Sequence, residues 1–198
     1  MDKVFIAVLS MGKVHIELVN RLIVWSKNGA FPSATVGVKP VDHARNEAVR
    51  AFLKTGREYL FFVDEDTIPP VDAIEKLLAV NKDIVSGMTP ILRQHEGKLV
   101  SCFNVFTHEE IVGDEKRLHS LDENSGIHKI ERCGTSCLLI HRSVFEKMPA
   151  PWFITKFNED YTTYTSEDLN FCDMARAKGI EIYTDTSVVA RHAKEVML

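Results

Sequence analysis

The chain has 198 residues, enough for one domain with its own core. Hydrophobic residues make up 45% and charged residues 26%, and the formal net charge is -4 without a basic block, which disfavours nucleic-acid binding by a charged surface. No apolar run reaches membrane-spanning length, and residues 1–9 read as a strand with an acid at Asp2 rather than as a secretory leader.

In chain order, Val4 to Leu9 is a strand ended by Ser10-Met11-Gly12. Ile16, Val19, Leu22 and Ile23 recur at helical spacing until Asn28-Gly29. Ala34 to Val38 reads as a second strand. Asp42 is placed to cap a helix in which Ala44, Ala48, Ala51, Phe52 and Thr55 share one face and Gly56 ends the run. Tyr59 to Val63 is an unbroken apolar run, as expected of a strand buried on both faces. Pro70 suits the first turn of a helix with Ile74, Leu77 and Leu78 inward, and Asp83 to Gly87 begins another strand. This alternation predicts an α/β fold, a Rossmann-like three-layer sandwich with a mostly parallel central sheet and helices on both faces.

The second half alternates less clearly. Leu99 to Phe106 and Ile127 to Arg132 read as strands around a charged connection, Thr107 to Ser125, that is either a hairpin excursion or a mobile loop. Cys137 to Ile140 is a buried strand, followed by a short helix around Val144-Phe145-Glu146. Thr165 or Ser166 caps a helix that runs to about Lys178 and stops at Gly179. Ile180 to Tyr183 and Val188 to Ala190 are the last strands. Cys102, Cys133, Cys137 and Cys172 are dispersed in apolar surroundings and read as reduced core thiols of a cytoplasmic protein. Cys133 and Cys137 lack a second Cys or His pair that would make them a zinc site.

The chemistry concentrates where the third strand runs into Asp64-Glu65-Asp66. Carboxylates at the carboxyl end of such a strand lie where open α/β sheets bind ligands, and they are hard oxygen donors suited to a divalent cation. The plain structural alternative is a solvated turn before a helix. Glu167 and Asp168 open a later helix, where acids also suit the helix dipole. His192 follows the apolar run 188–190, and Arg45-Asn46 lies in the first turns of the second helix.

Taken in order, these segments resemble the GT-A fold nucleotide-sugar glycosyltransferases, in particular compact family-2-like bacterial and phage types. The segments are Ser10-Met11-Gly12 after the first strand, Asp42-His43-Ala44-Arg45-Asn46, Asp64-Glu65-Asp66 and Cys133-Gly134-Thr135-Ser136-Cys137. They continue with Tyr164-Thr165-Ser166-Glu167-Asp168-Leu169-Asn170-Phe171-Cys172 and with His192. The resemblance implies a metal-dependent enzyme that moves a sugar from a nucleoside-diphosphate donor, a UDP-sugar by family habit, to the hydroxyl of a carbohydrate or other acceptor. Asp64, Asp66 and His192 would hold Mn2+ or Mg2+. Ser10, Arg45, Asn46, Asp64, Glu65 and Gly134 would lie along the donor, with Glu65 reaching the ribose or pointing away. Asp168, or failing that Glu167, would be the base of an inverting reaction. It further implies one domain over 1–198, with a nucleotide-binding half (1–95) and an acceptor and catalytic half (96–198). The C-terminal acceptor-binding extension of many relatives is expected to be missing, because only six residues follow His192. Two other classes stay open at this point. A nucleotidyltransferase would carry a richer Gly and Lys/Arg loop than Ser10-Met11-Gly12-Lys13. A non-catalytic nucleotide-sugar-binding module would not need the acids it retains.

Overall fold

The computed structural model describes residues 1–95, 97–112, 115–121, 126–159 and 161–193. The first half runs β1 (Val4–Ser10), α1 (Ile16–Lys27), β2 (Phe31–Val36), α2 (Val41–Leu53), β3 (Tyr59–Asp64), β4 (Thr67–Ile68), α3 (Ala73–Ala79) and β5 (Ile84–Met88). Two hairpins follow, β6 (Pro90–His95) with β7 (Lys98–Phe103), and β8 (Val105–Val112) with β9 (Glu115–Ser120). Next come β10 (Ile127–Ile130), β11 (Arg132–Cys133), β12 (Cys137–His141) and α4 (Arg142–Lys147). The last elements are β13 (Lys156–Phe157), β14 (Tyr164–Thr165), α5 (Glu167–Ala177), β15 (Ile182–Val189) and β16 (Arg191–His192).

The central sheet has seven strands in the order β10-β15-β5-β12-β3-β1-β2. Its inner strands are apolar at successive positions because both faces are covered. In β1, Phe5, Ala7 and Leu9 face one core while Val4, Ile6 and Val8 face the other. Leu60 and Phe62 of β3 likewise oppose Phe61 and Val63. The period-2 alternation of a strand thus feeds two separate cores. On one face lie α2, α4 and α5, through Phe52, Phe145 and Phe171; on the other lie α1 and α3, through Trp25 and Leu77. Among the described residues no helix is long and apolar enough to cross a membrane.

The expectation of a mostly parallel sheet is corrected. Pairs β1–β2, β1–β3 and β5–β15 are parallel, but β12 runs antiparallel to both β3 and β5, and β10 antiparallel to β15. The sheet is mixed. The reason is the long excursion between β5 and β12, whose hairpins turn the chain so that it re-enters the sheet from the opposite end. Smaller differences have local causes. The cap of α2 is Pro40 and not Asp42, which lies one residue inside the first turn. Helix α3 begins at Ala73, after Asp72, so Pro70 stands outside it and its carbonyl accepts from Ala73 N at 3.1 Å. The second strand is shifted to 31–36, and the two last predicted strands merge into β15, which carries a register shift between Thr184 and Val189. Of the charged connection, β8 and β9 form a hairpin; residues 113–114 and 122–125 lie outside the described residues.

Three of the thiols, Cys133, Cys137 and Cys172, are buried. Burial in the apolar layer pushes Cys137 up to about 12, and contact with Cys133 together with burial raises Cys172 well above its usual value. An unfolded thiol ionises near pH 8.5, so the unfolded chain loses these protons first as pH rises. Stability is therefore expected to be flat below about pH 8 and to fall above it by about 1.4 kcal/mol per pH unit for each such thiol, up to the folded value. Urea unfolding at pH 7.5 and pH 10, compared with a Cys137→Ala variant, checks the sign.

Candidate functional site

Strand β3 ends at Asp64, and the chain then turns through Glu65 and Asp66 before β4. The turn is fixed from below by α1. Arg21 Nε donates to Pro69 O at 3.2 Å and Trp25 Nε1 to Val71 O at 2.7 Å. The middle acid faces the loop after β1. Glu65 Oε2 accepts from Ser10 Oγ at 2.6 Å, Met11 N at 2.8 Å and Lys13 N at 3.4 Å, while Glu65 O accepts from His15 N at 2.9 Å. One carboxylate oxygen thus gathers the Ser10 hydroxyl and the amides of Met11 and Lys13, which shapes the loop. Ser10 is occupied in the same network, since its Oγ also accepts from Gly12 N at 2.9 Å.

The flanking acids take separate partners. Asp64 Oδ1 accepts from Arg45 Nη1 at 3.3 Å, and Arg45 Nε donates to Glu167 Oε1 at 2.9 Å. Arg45 is only 5% exposed, with its guanidinium 5.6 Å from the centroid of Phe62. Burial pulls its pKa down, but Asp64 and Glu167 outweigh that and hold it above the ordinary arginine value. Helix α2 thereby ties the end of β3 to the start of α5. Asp66 faces the other way. Its Oδ2 lies 3.0 Å from His192 Nε2, and His192 Nδ1 lies 3.0 Å from Pro90 O. The pairing of β16 with β4, His192 opposite Thr67, sets this geometry, and Ala193 N donating to Asp66 O at 2.8 Å secures it. A carbonyl only accepts, so Nδ1 carries a proton. Nε2 then either donates to Asp66 or presents its lone pair beside the carboxylate. The second state is a two-ligand seat for a divalent cation, with the second nitrogen fixed by backbone as is usual for ligating histidines. Among the described residues no group of three or more His, Cys, Asp or Glu side chains converges as a metal site, so a cation here would need further oxygens from water or a ligand.

At the N-terminus of α5, Glu167 is buried against Arg45, whereas Asp168 is half-buried. Asp168 Oδ1 accepts from Leu169 N at 2.8 Å and from Ser166 Oγ. These acceptances hold the carboxylate against the first turn of α5. Two other expected residues have internal work. Asn46 Nδ2 donates to Asp42 O and Phe153 O, each at 2.7 Å, and its Oδ1 accepts from Trp152 N at 2.9 Å and Phe153 N at 3.2 Å. Gly134 makes a close approach, but to Asn104: a Cβ there would lie 1.6 Å from Asn104 Nδ2.

A cleft of about 660 Å³ opens at the carboxyl ends of β1, β2 and β3. Leu9, Val38, Pro40, Val41 and Ala44 supply its apolar lining and Ser10, Arg45, Asp64, Glu65 and Asp66 its polar lining. It has the size of a small-ligand site, apolar walls with a few convergent polar groups. Six expected residues, Ser10, Arg45, Asp64, Glu65, Asp66 and, through Asp66, His192, therefore meet at one edge. The wall from Val38 to Val41 was missed by sequence reading. Its signal was the Lys39-Pro40 step between a strand and a helix, which reads as a simple break.

No protein-family model matches the chain, and no curated protein matches it. Its likeness is to solved structures. The A197 protein from STIV superposes with a TM-score of 0.66 at 20% identity over 98% of this chain and 86% of that one. GalNAc-T7, crystallised with UDP, GalNAc and Mn2+, gives 0.58 at 9% identity over 98% of this chain and 44% of that one. S. aureus TarS 1–349 in complex with UDP-GlcNAc gives 0.51 at 14% identity over 99% and 60%. The chain thus spans about half the length of the last two. These likenesses show a shared glycosyltransferase-like α/β fold.

The internal role of Asn46 has a measurable consequence. Asn46→Ala strands the buried amides of Trp152 and Phe153 and the Phe153 carbonyl, and is expected to lower stability by about 3 kcal/mol, since each unsatisfied buried group costs roughly 1–3 kcal/mol. Urea denaturation checks it; a change below 1 kcal/mol would require that water replaces the amide.

Proposed function

We propose that the chain is a metal-dependent glycosyltransferase that moves a sugar from a nucleoside-diphosphate donor to an acceptor hydroxyl with inversion. The observation that carries this reading is the meeting of Asp66 and His192, 126 residues apart, beside a cleft lined by both apolar and acidic side chains. A flat base suits the wall formed by Val38, Pro40 and Val41, and a diphosphate suits the end that offers a cation seat. UDP is the proposed carrier, supported by the UDP and UDP-GlcNAc present in the GalNAc-T7 and TarS structures of the same fold. Residues 1–95 then form the nucleotide-binding half of one domain and 96–198 the acceptor half.

Asp66 and His192 are the residues that would hold Mn2+ or Mg2+, whose charge when bound offsets that of the departing diphosphate, while Asp64 is engaged by Arg45. The chain's own groups divide the remaining work. Arg45 pairs with Asp64 and fixes Glu167, and Asp168, half-buried at the start of α5, takes the role of base in this reading. In the reaction, the acceptor O–H proton passes to Asp168, and the hydroxyl oxygen forms a bond to the anomeric carbon. The bond from that carbon to the diphosphate oxygen breaks, and its electron pair leaves with the phosphate. A neutral alcohol is a poor nucleophile, so a positioned base is required. Glu65 shapes the loop after β1 and Asn46 holds residues 152–153, which makes both positioning residues in this reading.

Two variants test it. Asp66→Ala is expected to abolish Mn2+-dependent binding of UDP in calorimetry. Its thermal unfolding should stay within a few degrees of wild type, because the side chain is 40% exposed and opens no cavity. Unchanged UDP affinity in a folded protein would overturn the cation assignment. Asp168→Asn is expected to keep donor affinity and to lose about 10²- to 10⁴-fold in turnover, the usual contribution of a general base. If Asp168 only supports the helix start, Asn serves as well and transfer stays near wild type.

A further inference from the structure

The hairpin between β13 and β14 leaves aromatic rings in solvent. Phe157 is 50% exposed, Tyr161 77% and Tyr164 67%, whereas Phe52, Phe61, Phe62, Phe106, Phe153 and Phe171 are fully buried. Phe157 and Tyr164 are cross-strand partners, with ring centroids 5.9 Å apart at 42°. The Tyr161 ring lies 5.5 Å from Phe157 at 33°. The three form one cluster centred on Phe157, and none is covered by the core.

The turn that presents them is built. Asn158 N donates to Thr163 O at 3.1 Å, Tyr161 N to Asn158 O at 3.2 Å and Thr163 N to Asn158 Oδ1 at 3.0 Å, while Asn158 Nδ2 donates to Thr162 Oγ1 at 3.0 Å. Tyr161 adopts the left-handed backbone, φ 59°, which a bulky residue rarely does. Such positions concentrate at ligand clamps and switch regions.

Its place in the fold gives the cluster a ligand. On one side, Thr155 N donates to Asp42 Oδ2 at 3.4 Å, tying the hairpin base to the first turn of α2, next to the Pro40-Val41 wall of the cleft. Asn170 Nδ2 donates to Ile154 O at 3.0 Å, tying the same base to α5. On the other side, Tyr164-Thr165 runs directly into Ser166, Glu167 and Asp168. The hairpin that carries the rings is therefore tied at its base to α2 beside the cleft, and its second strand leads straight into the start of α5.

We propose that Phe157, Tyr161 and Tyr164 form the acceptor platform, and that the acceptor is a saccharide stacked on them. This rests on the transferase reading and names the class of its second substrate. A pyranose ring has an apolar C–H face that packs on aromatic rings and a rim of hydroxyls that stays in water. Tyr, apolar in body and polar at its tip, matches both. The arrangement holds one sugar flat while a rim hydroxyl is offered to Asp168. Two rigid rings on a two-stranded ribbon give this contact area at little entropic cost.

The test uses saturation-transfer NMR with maltose, cellobiose, lactose and chitobiose as probes, on the wild type and on Phe157→Ala, Tyr164→Ala and Tyr164→Phe. At least one disaccharide is expected to bind, and both alanine variants should weaken it by about tenfold, the loss usual for truncating an aromatic anchor. Tyr164→Phe should retain most of the affinity. Both alanine positions are half or more exposed, and circular dichroism confirms that the variants fold. Calorimetry with UDP and Mn2+ is run in parallel and should be unchanged. No saccharide binding, or binding indifferent to both alanine variants, overturns the platform. So does loss, in those variants, of binding to phosphatidylglycerol vesicles or of self-association, which would make the rings a membrane or dimer contact. Absence of UDP binding with saccharide binding intact overturns the transferase reading and leaves the platform standing.

Discussion

One buried cation organises the site. Arg45 lies between Asp64 at the end of β3 and Glu167 at the start of α5, with Phe62 beneath it. Burying an ion triad adds little net stability, since desolvation offsets most of the attraction, but breaking it leaves an uncompensated charge and costs about 3–5 kcal/mol. Its effect is thus on geometry more than on stability. It sets the spacing between two elements contributed by opposite halves of the chain, and it engages one acid in each. Of the two acid pairs, 64/66 and 167/168, one member is bound by Arg45, while Asp66 meets His192 and Asp168 accepts from Ser166 and Leu169.

The rest of the site follows the same division between scaffold and presented groups. Glu65 is consumed by the loop after β1, Asn46 by residues 152–153, and the space beside Gly134 by Asn104. The half-buried Arg132 of β11 repeats the pattern farther along α5. It pairs with Glu109 of β8 and, through two bonds of 2.7 and 3.0 Å, with Asp173, holding the second hairpin against the helix. Burial opposes its charge, yet the two acids keep its pKa above the ordinary value. Helix α5 is therefore held by one arginine at its first turn, through Glu167, and by a second near its middle, through Asp173.

Much of this was legible in the sequence, for reasons that are physical. A strand covered on both faces must be apolar throughout, so β1, β3, β5 and β12 stand out as runs, and the acids at the end of β3 mark its carboxyl edge. Direction was not legible. An apolar run has no arrow, and the antiparallel placement of β12 depends on the hairpins that precede it. Those hairpins carry charges on their exposed faces, which blurs their alternation; β8 and β9 merged into a polar connection for that reason. Nor does the spelling of an acid distinguish work inside the fold from work at its surface. Glu65 and Asp64 are adjacent in sequence, yet one closes a loop and the other meets a guanidinium. Only the positions of Ser10 and Arg45 in space separate them. The cleft wall at Val38, Pro40 and Val41 was hidden because it contains nothing chemically distinctive.

The short pairing of β16 with β4 has a consequence for how the molecule comes into being. His192 is held opposite Thr67 by backbone contacts that span most of the chain, and the excursion between them passes through three hairpins and four strands of the central sheet. Contacts of such separation are slow to form, because the closure entropy of the whole intervening chain is met before they contribute anything. The Asp66–His192 contact is thus expected to be among the last features of the fold to appear. A half-assembled molecule would have its sheet and its acids but not this pair, which arrives with the completed tertiary structure.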